Sequence, residues 1–301
     1  MLFGEILRVA LGAIQANKLR SFLTTLGIII GIAAVITMIA LGEGAQRRIR
    51  QQLSQLGTNV LTVRPGQQFF GGIDRGDARL TVEDAEALLQ SAGQAIRDIA
   101  PEMQRRQQVS YGNANANSQI IGTWPSYFEI HNHKLAAGRL FTIGEEHGRR
   151  RVAVLGARAG ERIGEPDATR LLGKRIQIRG VPFEVIGVLE ARGEQGFFSP
   201  DEAIFVPLAT AQFRVFGTDR ISAIYVQARS ERDMDRAIAT IDRVLRRQHR
   251  IRPGEPSDFN VRNQAALLTT FQETTRTFSF LLAGIALVSL LVGGIGIMNI
   301  M

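Results

Sequence analysis

Two histidines two positions apart, His131 and His133, are the first residues whose types and spacing could do chemistry, because imidazoles on one side of a strand can share a metal ion. A metal site needs three or four converging ligands. With four histidines in all and no cysteine, a plain surface pair is the simpler reading. Glu145-Glu146-His147 sets carboxylates beside an imidazole, the ingredients of acid–base work, but the surrounding residues read as a loop and a solvated turn accounts for them. Gly173-Lys174 is followed by Arg175, not Ser or Thr, and Ala168 stands where the first glycine of a phosphate loop belongs. The G-x-S-x-G and H-E-x-x-H patterns are absent from the sequence. Gly293-Gly294-Ile295-Gly296 imitates a dinucleotide-binding turn, yet it lies in an uncharged run with no strand before it, so helix packing explains it better. Arg243, Arg246, Arg247, Arg250 and Arg252 form a basic run without interleaved aromatics, which fits a solvated helix face rather than a nucleic-acid surface. No catalytic, cofactor-binding or metal-ligating residue is assigned, and no nucleic-acid partner.

The elements around these residues are more telling. An apolar fraction of 45% excludes disorder, and the absence of cysteine excludes a disulfide scaffold, a thiolate metal site and a lipid-modified cysteine anchor. Arg20 and Glu43 bracket 22 uncharged residues, and Thr277–Met301 is again uncharged. Twenty helical residues span ~30 Å, the thickness of a bilayer core, so 21–42 and 277–301 are expected to be transmembrane helices. The 234 residues between them hold 33 of the 36 basic and 27 of the 28 acidic residues. Ala40-Leu41-Gly42 offers a small-x-small cleavage site, but the apolar run is longer than a signal peptide requires, and a retained anchor is expected. Leu2, Phe3, Ile6, Leu7, Ala10, Leu11 and Ile14 share one helical face, so residues 1–20 suit an amphipathic helix lying in membrane lipid or against a protein partner. The basic residues on the two sides of the first span balance locally; the short N-terminal side is read as cytoplasmic and the large domain as outside. Gly27 with Gly31, and Ser289 with Gly293, place small residues four apart, which lets helices pack closely.

Within 43–276, Gly44–Leu56 reads as a helical stalk ended by Gly57. Strands are expected at Asn59–Arg64, at Ile96–Ala100 leading to another around Gln107–Tyr111, at Ile221–Ala228 and at Asp258–Arg262. Helices are expected at Val82–Gln90, opened by Thr81 with Asp84, and at Glu231–Arg247. Two strand–helix–strand units at the ends of the segment predict one α+β subdomain from 58–111 and 217–262. The insert 112–216 is expected to be mostly β, with strands at Arg151–Leu155, Arg175–Arg179, Phe183–Leu189 and Ala203–Val206, a turn at Gly180-Val181-Pro182, and short helices near 156–163 and 208–215. Asn263–Arg276 is expected to be a second stalk running into the second span.

Several stretches together resemble the permease chains of MacB/FtsX-type ABC transporters with their MacB-like periplasmic core domain. They are Asn17–Gly31, Ala40–Gly44, Leu56–Arg64, Tyr127–Gly138 (YFEIHNHKLAAG), Arg151–Gly156 (RVAVLG), Leu172–Lys174 with Val181–Leu189 (VPFEVIGVL), Phe205–Leu208 (FVPL) and Gly293–Met301. The resemblance implies that the paired β-α-β units are the porter-like subdomain, on the extracytoplasmic side. It also implies four membrane helices, a second permease copy, and a cytoplasmic ABC ATPase subunit that binds ATP and Mg, so that this chain itself is not an enzyme. A periplasmic adaptor or a lipoprotein would be the partner of the outer domain. The stalks would be levers, with Gln52 and Leu56 on the first and Leu268 and Phe271 on the second as coupling residues. The chain ends at Met301 within the second span and lacks the family's last two helices, so an N-terminal fragment is expected. The rival readings are a membrane-anchored sensor and an FtsX-like regulator of a cell-wall hydrolase; the cargo is not readable from the sequence.

Overall fold

The structure, a computed structural model, describes residues 59–66, 69–70, 73–74, 79–193 and 200–263, together with scattered helical positions between 4 and 44 and between 273 and 295. The chain divides into two compact units, one of 52–265 and one of 1–51 with 266–301.

In chain order the larger unit contains β1 (Val60–Pro65), β2 (Phe69–Phe70), β3 (Ile73–Asp74), α1 (Val82–Gln90), β4 (Ile96–Tyr111) and β5 (Ala114–Thr123). Next come α2 (Ser126–Ile130), β6 (Leu135–Gly138), α3 (Ile143–His147), β7 (Val152–Leu155), β8 (Arg175–Ile178) and β9 (Val181–Leu189). The last elements are β10 (Ala203–Pro207), α4 (Leu208–Thr210), which continues as a π-helix over Ala211–Phe216, β11 (Ala223–Ala228), α5 (Met234–Gln248) and β12 (Phe259–Asn263).

Strands β12-β1-β11-β4 lie side by side, every neighbour antiparallel. The units β1-α1-β4 and β11-α5-β12 are therefore interleaved, each supplying two strands that sandwich or flank one of the other's, which is a split β-α-β sheet. Its two helices bury one face each. Ala85 and Leu88 of α1, and Met234, Ala237, Ile241, Val244 and Leu245 of α5, join the core formed by Leu61, Val63, Ile99, Ile224 and Val226. Asp84 opens α1 by accepting hydrogen bonds from the Thr81 amide (2.9 Å) and hydroxyl (3.0 Å).

The sheet does not stop at β4. Its continuation runs β4-β5-β10-β7-β9-β8 and returns to β4, where Val109 pairs with Ile178 and Ser110 with Gln177. This closes a six-stranded barrel, which removes exposed strand edges from its wall. β4, 16 residues and about 50 Å long, serves both the split sheet and the barrel. Alternation sorts the two faces: Ile204 and Val206 of β10 join the larger core, while Phe205 joins a second core with Val154, Ile121, Phe128 and Phe141.

Several expectations need correction. Ile96–Ala100 and Gln107–Tyr111 belong to one strand, because pairing with β5 carries the polar stretch between them. β5 and β6 were not expected as strands; the Ala-Asn alternation of β5 has low strand propensity, and the ladder to β4 overrides it. The turn after β8 is Arg179-Gly180, with φ of 51° and 78°, a type I′ hairpin that places Val181 and Pro182 in β9. Pro182 fits there because it occupies the non-hydrogen-bonded pair with Gln177, and pairing of β9 with β7 starts only at Glu184. Between β4 and β5 a positive φ at Gly112 alone gives the II′ alternative. The boundary expected at 111/112 falls inside this hairpin, so the insert shares a wall with the split sheet.

Of the helix-packing residues only Gly31 is among the described positions, where it is helical and buried. Gly27, Ser289 and Gly293, and the coupling residues Gln52, Leu56, Leu268 and Phe271, lie outside the described residues, as do most positions of both expected stalks. Among the described residues no helix is long and apolar enough to cross a membrane.

Candidate functional site

The stretches that carried the resemblance meet in space around α2. Tyr127 and Phe128 come from α2, His131 and His133 from the turn that ends it, and Phe205 from β10. Ring centroids of Tyr127 lie 4.3 Å from His131, 5.7 Å from Phe205 and 5.7 Å from Tyr225 of β11. Contrary to expectation, the histidines lie neither on a strand nor in a surface pair but in the turn after α2, where His131 is buried at 4% exposure. Burial first, and then the Arg192 guanidinium, push both imidazoles down to about 3, so both are neutral at physiological pH. Arg192 Nη1 donates to the His131 carbonyl at 2.7 Å and lies 3.5 Å from His133 Nδ1, while the Arg192 amide donates to Asp201 at 3.0 Å. A fixed guanidinium facing the pair disfavours a cation there, and among the described residues no group of three His, Cys, Asp or Glu could hold a metal ion.

Below the rings sits Glu102 of β4, 3% exposed, which accepts hydrogen bonds from the Tyr127 and Tyr225 hydroxyls. Burial pushes its carboxyl up to about 7, against these hydrogen bonds and the charge of Arg64. Burial also pushes both phenols above their usual range, so they remain donors. Glu102 went unremarked in the sequence, although an acid between Ala100 and Met103 in an apolar run was the available signal. Strands β1, β4 and β11 hold one side of this node; α2, β10 and the Arg192 segment hold the other.

The split sheet has its own polar clamp. His249 at the end of α5 contacts Asp84 of α1 through Nε2 at 3.2 Å and Asp258, next to β12, through Nδ1 at 2.8 Å. The hydrogen bond to Asp84 is the largest influence raising His249 to about 9; burial alone would raise Asp84, but the His249 contact and the Thr81 hydrogen bonds together hold it below its usual value. One imidazolium therefore ties together two helices and the entry to the last strand. Nearby, the basic run is only partly solvated. Arg246 donates to Ser257 Oγ (3.0 Å) and to the carbonyls of Arg252 (2.8 Å) and Glu255 (2.9 Å), stapling the loop after α5.

The Glu145-Glu146-His147 segment is a helix, not a loop. Thr142 caps it by accepting from the Glu145 amide, and Glu145 pairs with Arg139 through two bonds of 2.8 Å. Glu146 is buried and accepts from the Ala209 amide at 2.8 Å, at the start of α4. Burial pushes it to about 7. The motif glycines have steric roles: a Cβ on Gly138 or Gly187 would come within 2.3 Å of backbone oxygen where β6 meets β9, and one on Gly156 within 2.5 Å of the Asp201 carbonyl.

These side chains hold elements together; none of the three clusters sets a nucleophile against a base. A mixed α/β module in which a split sheet and a barrel share strands is the class defined by this architecture. A profile of the MacB-like periplasmic core domain matches residues 21–244, and the chain belongs to that family. It is 37% identical over 302 aligned residues to a macrolide export ATP-binding/permease protein MacB of Bdellovibrio bacteriovorus, covering 99% of this chain and 46% of that protein. It is 38% identical to the MacB of Rhodospirillum rubrum, covering 99% of this chain and 45% of that protein. The chain thus spans about half the length of these relatives. The crystal structure of the periplasmic region of MacB from Actinobacillus actinomycetemcomitans has the same fold, with TM-score 0.60 and 23% identity over 75% of this chain and 98% of that region. The extracellular domain of the ABC-type transporter YknZ from Gram-positive bacteria matches at TM-score 0.55 and 21% identity, over 68% of this chain and all of that domain.

Proposed function

We propose that the chain is the permease part of a MacB-type ABC transporter, in which 21–42 and 277–301 cross the cytoplasmic membrane and 43–276 stands on its outer side. ATP and Mg²⁺ chemistry belongs to the ATP-binding part of the system, and the stalks carry its motion outward for export. A second permease copy and a periplasmic adaptor or lipoprotein complete the assembly.

One observation carries this reading. Leu61 near the start of β1 pairs with Asn263 at the end of β12, so the larger unit receives and releases the chain at adjacent, antiparallel positions. Two levers attached there act on one edge of one sheet, and β4 continues that sheet into the barrel. A push on the edge is distributed over a body whose strands are hydrogen-bonded throughout, a rigid-body transition rather than a local one. The exposed apolar residues Phe22, Ile36, Phe278 and Leu281 of the other unit support lipid contact.

Absence of cysteine makes the topology directly testable. Gln94→Cys in the domain should react with a membrane-impermeant maleimide in intact cells, and Lys18→Cys only after permeabilisation. Equal labelling of both, or recovery of the chain in the soluble fraction after alkaline washing, overturns the topology. Coupling is tested in the assembled transporter with Gln52→Pro, at about 3 kcal/mol of local helix cost. Transport and stimulated ATP hydrolysis should both fall, and their persistence would rule out the lever.

A further inference from the structure

The barrel carries a cleft of about 740 Å³ whose charged lining is five arginines against one carboxylate: Arg149, Arg150, Arg151, Arg175 and Arg214 with Glu184. Other arginines of the same unit have acidic partners, such as Arg139 with Glu145, Arg162 with Glu202 and Arg170 with Glu165. None of the five in the cleft forms an ion pair among the described residues. All five side chains are solvent-exposed, so water screens their mutual repulsion, but five cations against one carboxylate leave a net excess of four positive charges facing anything that enters the cleft.

The cleft is built on fixed backbone. After α3, the amides of Arg149 and Arg150 donate back to the carbonyls of Glu146 (3.0 Å) and Glu145 (2.9 Å), with Arg149 held at φ 49°. The Arg150 carbonyl accepts from the Thr210 hydroxyl at 2.9 Å, and the Arg151 carbonyl from the Glu184 amide at 2.9 Å. Arg175 opens β8 opposite Glu184, and Arg214 lies in the π-helix, a helix form that recurs at functional sites. The Arg149 guanidinium lies 3.8 Å from the centroid of the Phe213 ring, which engages its face and leaves its in-plane N–H donors available.

We propose that this cleft binds a small, multiply charged phosphate group, either a soluble polyphosphate or the phosphate-bearing headgroup of a lipid. Forked guanidinium donors match phosphate oxygens two at a time. The volume lies in the ~300–1,000 Å³ range of small-ligand sites, and a compact polyanion supplies several charges within it. An acidic peptide segment would space its carboxylates along the chain and is the less complementary ligand.

The test is calorimetric titration of the full chain in neutral detergent with inorganic tripolyphosphate and, separately, a soluble short-chain phosphatidic acid. Saturable binding at one site per chain is expected. It should weaken by roughly tenfold or more in Arg151→Glu/Arg175→Glu and fall steeply between about 50 and about 200 mM salt. Arg247→Glu on α5 should leave it unchanged. Arg214→Ala, a milder change at an exposed position, gives the readout if the double variant unfolds. Binding of tripolyphosphate alone identifies a soluble ligand, and of phosphatidic acid alone a headgroup. The proposal is overturned if neither binds below about 1 mM, if the cleft variants bind as well as wild type, or if only an Asp/Glu-rich peptide binds.

Discussion

The two compact units sort their large apolar side chains in opposite ways. Phe128, Phe141, Phe183 and Phe205 are sealed inside the unit of 52–265, where Leu89, Ile143 and Phe213 are the exposed large apolar residues among those described. In the flanking unit Phe22, Ile32, Ile36, Ile39, Phe278, Phe280 and Ile285 face outward; Phe280 is 67% exposed against 0% for Phe205. Apolar surface in water is unfavourable by about 25 cal/mol per Å², so one unit is complete in water and the other calls for a cover. Lipid or a second copy can supply it. Composition alone hides this, since the mean hydropathy of the chain is close to zero.

The strongest expected contrast comes from two phenylalanines. Phe205→Ala should lower the unfolding free energy of the large domain by about 3–5 kcal/mol, because the neighbouring strands cannot close the cavity. Phe280→Ala should change it by less than about 0.5 kcal/mol. Fluorescence of Trp124, the sole tryptophan, follows urea unfolding in both. Equal losses would mean that the two units share one core. The converse experiment is a charge in the flank. Ile36→Asp should disfavour membrane insertion by roughly 2.5–3.5 kcal/mol and reduce the membrane-retained fraction, with the Trp124 transition unaltered. Unchanged retention for both Ile36→Asp and Ile285→Asp would refute a lipid cover.

The same contrast governs what the sequence disclosed. Elements with a clean period were readable: α1 was expected at its observed limits, and the helix expected at Glu231–Arg247 is α5, which runs Met234–Gln248 behind a 3-10 turn at Glu231–Asp233. Short apolar strands such as β7 and β10 also stood out. β5 did not, since Asn115 and Asn117 face outward and only the partner strand makes them a strand. Barrel closure depends on Val109 meeting Ile178, a long-range pairing with no local trace. The polar node was half legible. His131 and His133 drew attention as possible ligands, but their burial, and the role of Glu102, follow from tertiary contacts with Tyr127, Tyr225 and Arg192.

Buried ionisable groups give the domain a pH dependence. Glu102 and Glu146 both have folded pKa values raised to about 7, so their contribution is complete below 4.5 and is lost as pH rises through 7. His131 and His133 are depressed to about 3, so their contribution is complete above 6.5 and is lost as pH falls toward 3. Between about 4.5 and 6.5 the two pairs oppose one another and stability should be nearly flat. His249, raised to about 9, contributes fully below 6.5 and loses that contribution as pH climbs through 9. Stability should therefore decline from near neutrality to pH 9 chiefly through His249, because the Glu102 and Glu146 contributions are already largely lost by pH 7. Glu102→Gln should match or fall below wild type at pH 5 and exceed it at pH 9. His249→Gln should destabilise at pH 6 and do so much less at pH 10. A decline at high pH that survives both substitutions would assign it elsewhere.

The smallest effects test whether the domain answers to its local backbone alone. Gly180 holds φ 78° in the β8–β9 turn with open space around it, so Gly180→Ala adds no clash and isolates the left-handed penalty, about 1–2 kcal/mol. Gly144 lies inside α3, outside the left-handed region, and a Cβ there would meet only Thr142 Oγ1 at 3.9 Å. Gly144→Ala should accordingly stabilise the domain by roughly 0.5–1 kcal/mol, through the entropy removed from the unfolded chain. Shifts of opposite sign in the Trp124 transition, the same in detergent as in bilayers, would show that the domain folds independently of whatever covers its flanks. If the two shifts instead depended on the medium, the apolar helices would be contributing to domain stability, and the contrast between the units would have to be redrawn.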